Sequence, residues 1–109
     1  MPINRSGFKI IHGEPSEWIR ASASGRQVAC AFCSHCGTRL FHAPSRNPSI
    51  VNVKPGTLDN TRWLRPVGHL WIKSVQPWIV IPDATLRFDA QPADFAHYSK
   101  NGISFGNSF

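Results

Sequence analysis

Three cysteines, Cys30, Cys33 and Cys36, are the only ones in the chain. The later two enclose a short loop, Cys33-Ser34-His35-Cys36-Gly37. Thiols at this spacing can hold a metal, cycle as a redox pair, or sit inert. The cluster is odd in number and local, so it does not describe a disulfide framework. A redox pair needs its first Cys at a helix N-terminus, where the dipole lowers the thiol pKa. The loop runs instead into Thr38-Arg39-Leu40-Phe41-His42, a strand-like stretch, so metal binding is the favoured chemistry. Gly37 accepts the positive φ that a tight turn after the second Cys demands. Cys33 and Cys36 are therefore assigned as metal ligands. Cys30 lies three residues upstream on an extended strand and so faces the other way. It is read as a third ligand or as a small buried hydrophobe. A structural zinc takes four ligands. His35, inside the turn, reads as solvent-facing, and His42, on the outgoing strand, reads as a packing or hydrogen-bonding residue. Two corners of a tetrahedral site stay unassigned.

The elements that must position this loop are short. Eight Gly and nine Pro punctuate the chain, and the segments between them are too brief for helices of ordinary length. Phe8–Ile11 alternates weakly. Trp18–Ala21, the turn Ser22-Ala23-Ser24-Gly25, and Gln27–Phe32 read as a hairpin. Thr38–His42 and Ile50–Val53 read as further strands, Val67–Lys73 as a longer one, and Trp78–Ile81 as a short apolar one. Trp18 and Trp63 are expected in amphipathic packing, and Trp78 in the core or a cleft wall. Helix is scarce: one turn over Leu58–Trp63 capped by Asp59, and one helix from Pro92 to Tyr98, ended by Asn101-Gly102. The expected architecture is one mainly β domain over residues 1–100, followed by a flexible tail over 101–109.

The 109-residue, 12.1 kDa chain carries twelve Lys and Arg against six Asp and Glu, a net charge of 12 − 6 = +6. Its basic residues are dispersed without a run or a helix stripe, so nucleic acid is not the expected partner. A positive field also favours a small anion. No segment approaches the ~18 apolar residues of a membrane span. The opening residues lack the apolar core of a secretory signal, which makes the cytoplasm the expected compartment. No carboxylate pair, dinucleotide fingerprint or P-loop is present.

Four blocks occur in order: Cys33-Ser34-His35-Cys36-Gly37-Thr38-Arg39-Leu40-Phe41, Lys54-Pro55-Gly56-Thr57-Leu58-Asp59, Pro66-Val67-Gly68-His69-Leu70-Trp71 and Ser74-Val75-Gln76-Pro77-Trp78. The series, from about Phe8 to Phe88, resembles the glutathione-dependent formaldehyde-activating enzyme family, which includes the centromere protein V group. The resemblance implies a zinc-bearing fold of the Mss4-like type, built of small coiled antiparallel sheets with a zinc knuckle. It implies a structural zinc on four cysteines, two of them matching Cys33 and Cys36, and two from an early Cys-x-Cys. It also implies a catalytic zinc on a Cys-x-Cys-x-x-Cys group in the N-terminal half, and a carbon–sulfur lyase activity joining formaldehyde to the glutathione thiol. His69 and Trp71, by the same resemblance, lie near the substrate cleft; the alternative is that they pack on one strand face.

Residues 1–109 match only the later part of that pattern. No Cys precedes Cys30, so the early pair and the catalytic group are missing and the chain reads as an N-terminally truncated member. The expected cofactor is zinc and the expected partner a small thiol such as glutathione. A second copy of the chain could complete the zinc site by joining two cysteine turns. The alternative function is a non-catalytic, zinc-stabilised β module that binds a partner or nucleic acid.

Overall fold

Val28, Cys30, Ala31 and Val51 are the buried apolar side chains of the core among the described residues, and the strands that carry them explain the architecture. The computed structural model describes residues 1–92. In chain order the strands are β1 (Pro2–Asn4), β2 (Ser16–Ala21), β3 (Gln27–Phe32), β4 (Arg39–Pro44), β5 (Ile50–Val53), β6 (Gly68–His69) and β7 (Leu86–Arg87). The first five form one antiparallel sheet in the order β1-β5-β4-β3-β2. The protein is thus mainly β, and its only helical pieces among the described residues are three-residue 3-10 turns at Arg5–Gly7, Pro55–Thr57 and Ile72–Ser74.

The β2–β3 hairpin forms where an apolar run, Val28–Phe32, follows a turn-forming segment. Ser22 N–H donates to Arg26 O at 2.7 Å, Gly25 N–H to Ser22 O at 2.9 Å, and Gly25 takes a φ of +80°. From there the register runs from Ala21 opposite Gln27 to Ser16 opposite Phe32. One cross-strand row, Trp18, Cys30, His42, Asn52 and Pro2, crosses the whole sheet on one face. The other face carries Glu17, Ala31, Phe41 and Val53, with Ile19 and Val51 in neighbouring rows. There Phe8 meets Phe41 edge-on at 4.8 Å between centroids.

Among the described residues, 1–62 belong to one unit and 63–92 to a second. In the second, β6 and β7 pair in parallel, Gly68 opposite Leu86 and His69 opposite Arg87. Ile72 N–H donates to Phe88 O at 3.1 Å, and Phe88 N–H to His69 O at 2.9 Å.

Several elements differ from expectation. Phe8–Ile11 is irregular, and β1, which no alternation announces, pairs instead with β5. The long strand over Val67–Lys73 shrinks to Gly68–His69, because Trp71 turns the backbone into the left-handed region at φ 60° and ψ 35°. Trp78–Ile81 holds no strand, and its first three side chains are exposed, Trp78 at 75% and Val80 at 89%, while Ile81 is half-buried. Trp78 is therefore not a core residue. Trp18 is 59% exposed on edge strand β2 rather than packed, and Trp63 is also exposed. The helical turn falls at Pro55–Thr57, upstream of Asp59, which caps nothing. The expected helix beyond Pro92 and the tail over 101–109 lie outside the described residues.

Candidate functional site

The sheet delivers the cysteine turn between β3 and β4. Cys33 N–H donates to Thr38 O at 2.8 Å, and Gly37 N–H to Cys33 O at 2.8 Å. Gly37, at φ +77°, supplies the left-handed step that lets the second bond close. The β3–β4 register slips at Ala31/Phe32, one residue before the turn. Such a bulge re-aims the chain beyond it.

Within this loop the two thiols lie close enough for one to influence the other. The Thr38 hydroxyl lies 3.1 Å from Cys36 Sγ. That contact, then the Thr38 amide, the Cys33 thiol and the Cys36 amide, hold the Cys36 thiol below its ordinary range despite a small opposing desolvation effect. Donors aimed at one sulfur favour its thiolate, the form that binds a metal. Cys36 is exposed and Cys33 half-buried, so the pair is open to a ligand from outside.

Cys30 is not part of this pair. It is fully buried at 0% exposure, its thiol 3.7 Å from Val28 O, on the sheet face that also holds His42. His35 is exposed. Among the described residues no group of three or more His, Cys, Asp and Glu side chains comes together as a metal site. No third His, Cys, Asp or Glu side chain among the described residues joins Cys33 and Cys36, so a tetrahedral zinc would find at most two of its four corners here.

His42 stands beside Cys30 and Asn52 with its Nδ1 buried and without a hydrogen-bond partner. Burial, and then the charges of Lys54, Arg39, Arg20 and the N-terminal ammonium, push its pKa down to about 4. Packing is thus the half of the expectation that this neutral imidazole meets. No signal in the sequence marks this gathering of cations, because the four come from four separate segments.

His69 and Trp71 lie in the second unit. His69 ends β6 with its Nε2 buried and unpartnered. Trp71 comes after the strand has ended, so the two share no strand face, and Lys73 Nζ stands 5.0 Å from the Trp71 ring centroid. On the first unit, a shallow concavity of about 470 Å³ involves Arg5, Ile19, Ala29, Ala43 and Pro48 among its walls. It contains none of the cysteines or histidines.

A profile of the glutathione-dependent formaldehyde-activating enzyme family matches residues 1–74, which span β1 to the Ile72–Ser74 turn and include Cys33, Cys36, His69 and Trp71. This chain belongs to that family. The family is generally zinc-binding. No curated protein and no solved structure matches the chain. No helix among the described residues is long and apolar enough to cross a membrane.

Proposed function

We propose that the chain serves glutathione-dependent formaldehyde chemistry as a zinc-dependent carbon–sulfur lyase acting on the glutathione–formaldehyde adduct or a related thiol adduct. The observation that carries this reading is the cysteine turn, which holds Cys33 and Cys36 on one short loop and sets the Thr38 hydroxyl against the Cys36 sulfur. Cys33 and Cys36 hold two corners of a structural zinc, and two further thiolates close it. Those thiolates come from a second copy of the chain or from sequence outside residues 1–109. When bound, a catalytic zinc polarises the carbonyl or holds a thiolate. Its thiolate ligands also come from outside these residues, since only Cys30 is left and it is buried. His69 and Trp71 face the substrate: a buried Nε2 without a partner and an exposed indole supply a polar and an apolar contact. The net charge of +6 favours an anionic thiol of this kind.

The shortage of thiolates favours a second reading, a non-catalytic zinc-stabilised module that binds the adduct without converting it. One experiment separates the two. The zinc-loaded chain is titrated with glutathione and with the preformed adduct, and adduct formation and breakdown are timed. Turnover supports the lyase, and binding without turnover selects the module. Absence of both binding and turnover removes this chemistry from the chain. Zinc analysis runs alongside: one zinc per two chains, in an assembly that a chelator reduces in size, identifies the second copy as the source of the missing thiolates.

A further inference from the structure

The two edges of the five-stranded sheet are not equivalent. β1 is three residues long and begins with Pro2, two devices that blunt an edge. β2 is six residues long, with no further strand beyond it among the described residues, and its side chains from Glu17 to Ala21 are exposed on both faces. The ladder fixes which of its backbone groups are free. Ser22 N–H bonds Arg26 O at 2.7 Å, and Ser45 N–H bonds Gln27 O at 3.1 Å. With the β2–β3 register, Val28, Cys30 and Phe32 bond toward β2, while Gln27, Ala29 and Ala31 bond toward β4. Ser16, Trp18 and Arg20 therefore turn their amides inward. Glu17, Ile19 and Ala21 turn theirs outward, where a long 3.5 Å approach of the Arg20 guanidinium reaches Ala21 O.

We propose that this edge pairs antiparallel with the same edge of a second copy, about a twofold axis passing beside Ile19, so that two five-stranded sheets become one. A twofold axis normal to the sheet keeps each face continuous, so residues on one face meet only residues of that face. Three such registers bring two or more outward amides of each strand together, and the one centred on Arg20 sets two Arg20 side chains opposite each other, like charge against like. The one centred on Trp18 sets Ala21 against Pro15, which has no N–H to give. The one centred on Ile19 joins Glu17 to Ala21, Ile19 to Ile19 and Ala21 to Glu17, and uses all three outward residues of each strand. Its side chains agree. On one face Trp18, 59% exposed, lies opposite Arg20 of the second copy, a cation over an aromatic ring, and the symmetry repeats the pair. On the other face two half-exposed Ile19 side chains cover each other, and Glu17 faces Ala21. No two like charges stand opposite, although each chain carries +6. The occupant is thus a second copy of this chain, recognised by strand addition.

The test is the oligomeric state of the full chain by sedimentation and light scattering with chelator present, which removes any metal-bridged association. A dimer is expected. Ile19→Lys and Ile19→Glu should each raise its dissociation constant by roughly tenfold or more, since like charges then face each other at the axis. An equimolar mixture of the two variants should dimerise again, because opposite charges then meet there. A monomer at all concentrations, a dimer indifferent to both variants, a mixture that stays monomeric, or assemblies larger than a dimer would each overturn the proposal. Hydrogen exchange on the unaltered chain gives a reading that does not depend on how the variants fold. The amides of Glu17, Ile19 and Ala21 should become protected as protein concentration rises, and unchanged exchange there refutes the pairing.

Discussion

Gly37→Ala isolates what the cysteine turn asks of its backbone. A β-carbon placed on Gly37 meets no atom within 4 Å, so the substitution carries no steric penalty from neighbours. The cost is conformational: φ is +77°, a region that disfavours an L-residue by about 1–2 kcal/mol. The stiffer unfolded chain returns part of this, which leaves a net loss of about 1 kcal/mol. Gly56→Ala is the matched control. Its β-carbon is equally free of neighbours and its φ lies outside the left-handed range, so it should be neutral or stabilising by about 0.5 kcal/mol. Urea unfolding tracked by circular dichroism should separate the two variants by about 1.5 kcal/mol, close to tenfold in the folding equilibrium. Hydrogen exchange supplies the local reading, because the Cys33 amide donates across the turn to Thr38 O at 2.8 Å. That amide should exchange about fivefold faster in Gly37→Ala than in the unaltered chain. Two variants of equal stability, with the Cys33 amide unchanged, would show that the left-handed step is not what shapes the turn.

Thr38→Val removes the hydroxyl that leads in stabilising the Cys36 thiolate, so the thiol pKa should rise, and alkylation of Cys36 at neutral pH should slow. An unaltered rate–pH profile would contradict the hydrogen-bond account. His42 titrates near pH 4, below the ~6.5 of an unfolded chain. The unfolded state therefore binds the extra proton between those values, and stability should fall as pH drops from about 6.5 to about 4. Denaturant midpoints measured across that window should show the slope, and His42→Leu should flatten it. Val51→Ala empties a fully buried site at the β1–β5 pairing and should cost about 2 kcal/mol of stability in the same unfolding assay.

The hairpin is legible because two signals coincide, the apolar run Val28–Phe32 and the turn-forming Ser22-Ala23-Ser24-Gly25, and Ile50–Val53 stands out for its β-branched residues. β1 carries neither signal. It is three residues long and exists because β5, about fifty positions away, offers a partner, which no local window contains. Val67–Lys73 and Trp78–Ile81 mislead for the opposite reason. Their apolar residues imply burial, yet Trp71 bends the first out of the strand conformation and the second lies exposed. In the site, the Cys33–Cys36 pair can be read from spacing because its geometry is local. The fate of Cys30 comes from strand alternation. The cationic setting of His42 has no local signal, since β2, β4, the segment after β5 and the N-terminus each contribute one charge.

Trp71 occupies a peptide geometry that Gly or Asn would adopt with less strain, yet it carries the largest side chain available, with Lys73 over its ring. Backbone comfort and side-chain content therefore pull in opposite directions at one position. An exchange to Gly relaxes the main chain by about 1 kcal/mol while deleting the indole, so a melting curve registers little of what is lost. If Trp71 contacts the adduct as proposed, a variant library sorted on ligand capture would discard a change to which one sorted on heat resistance is nearly blind.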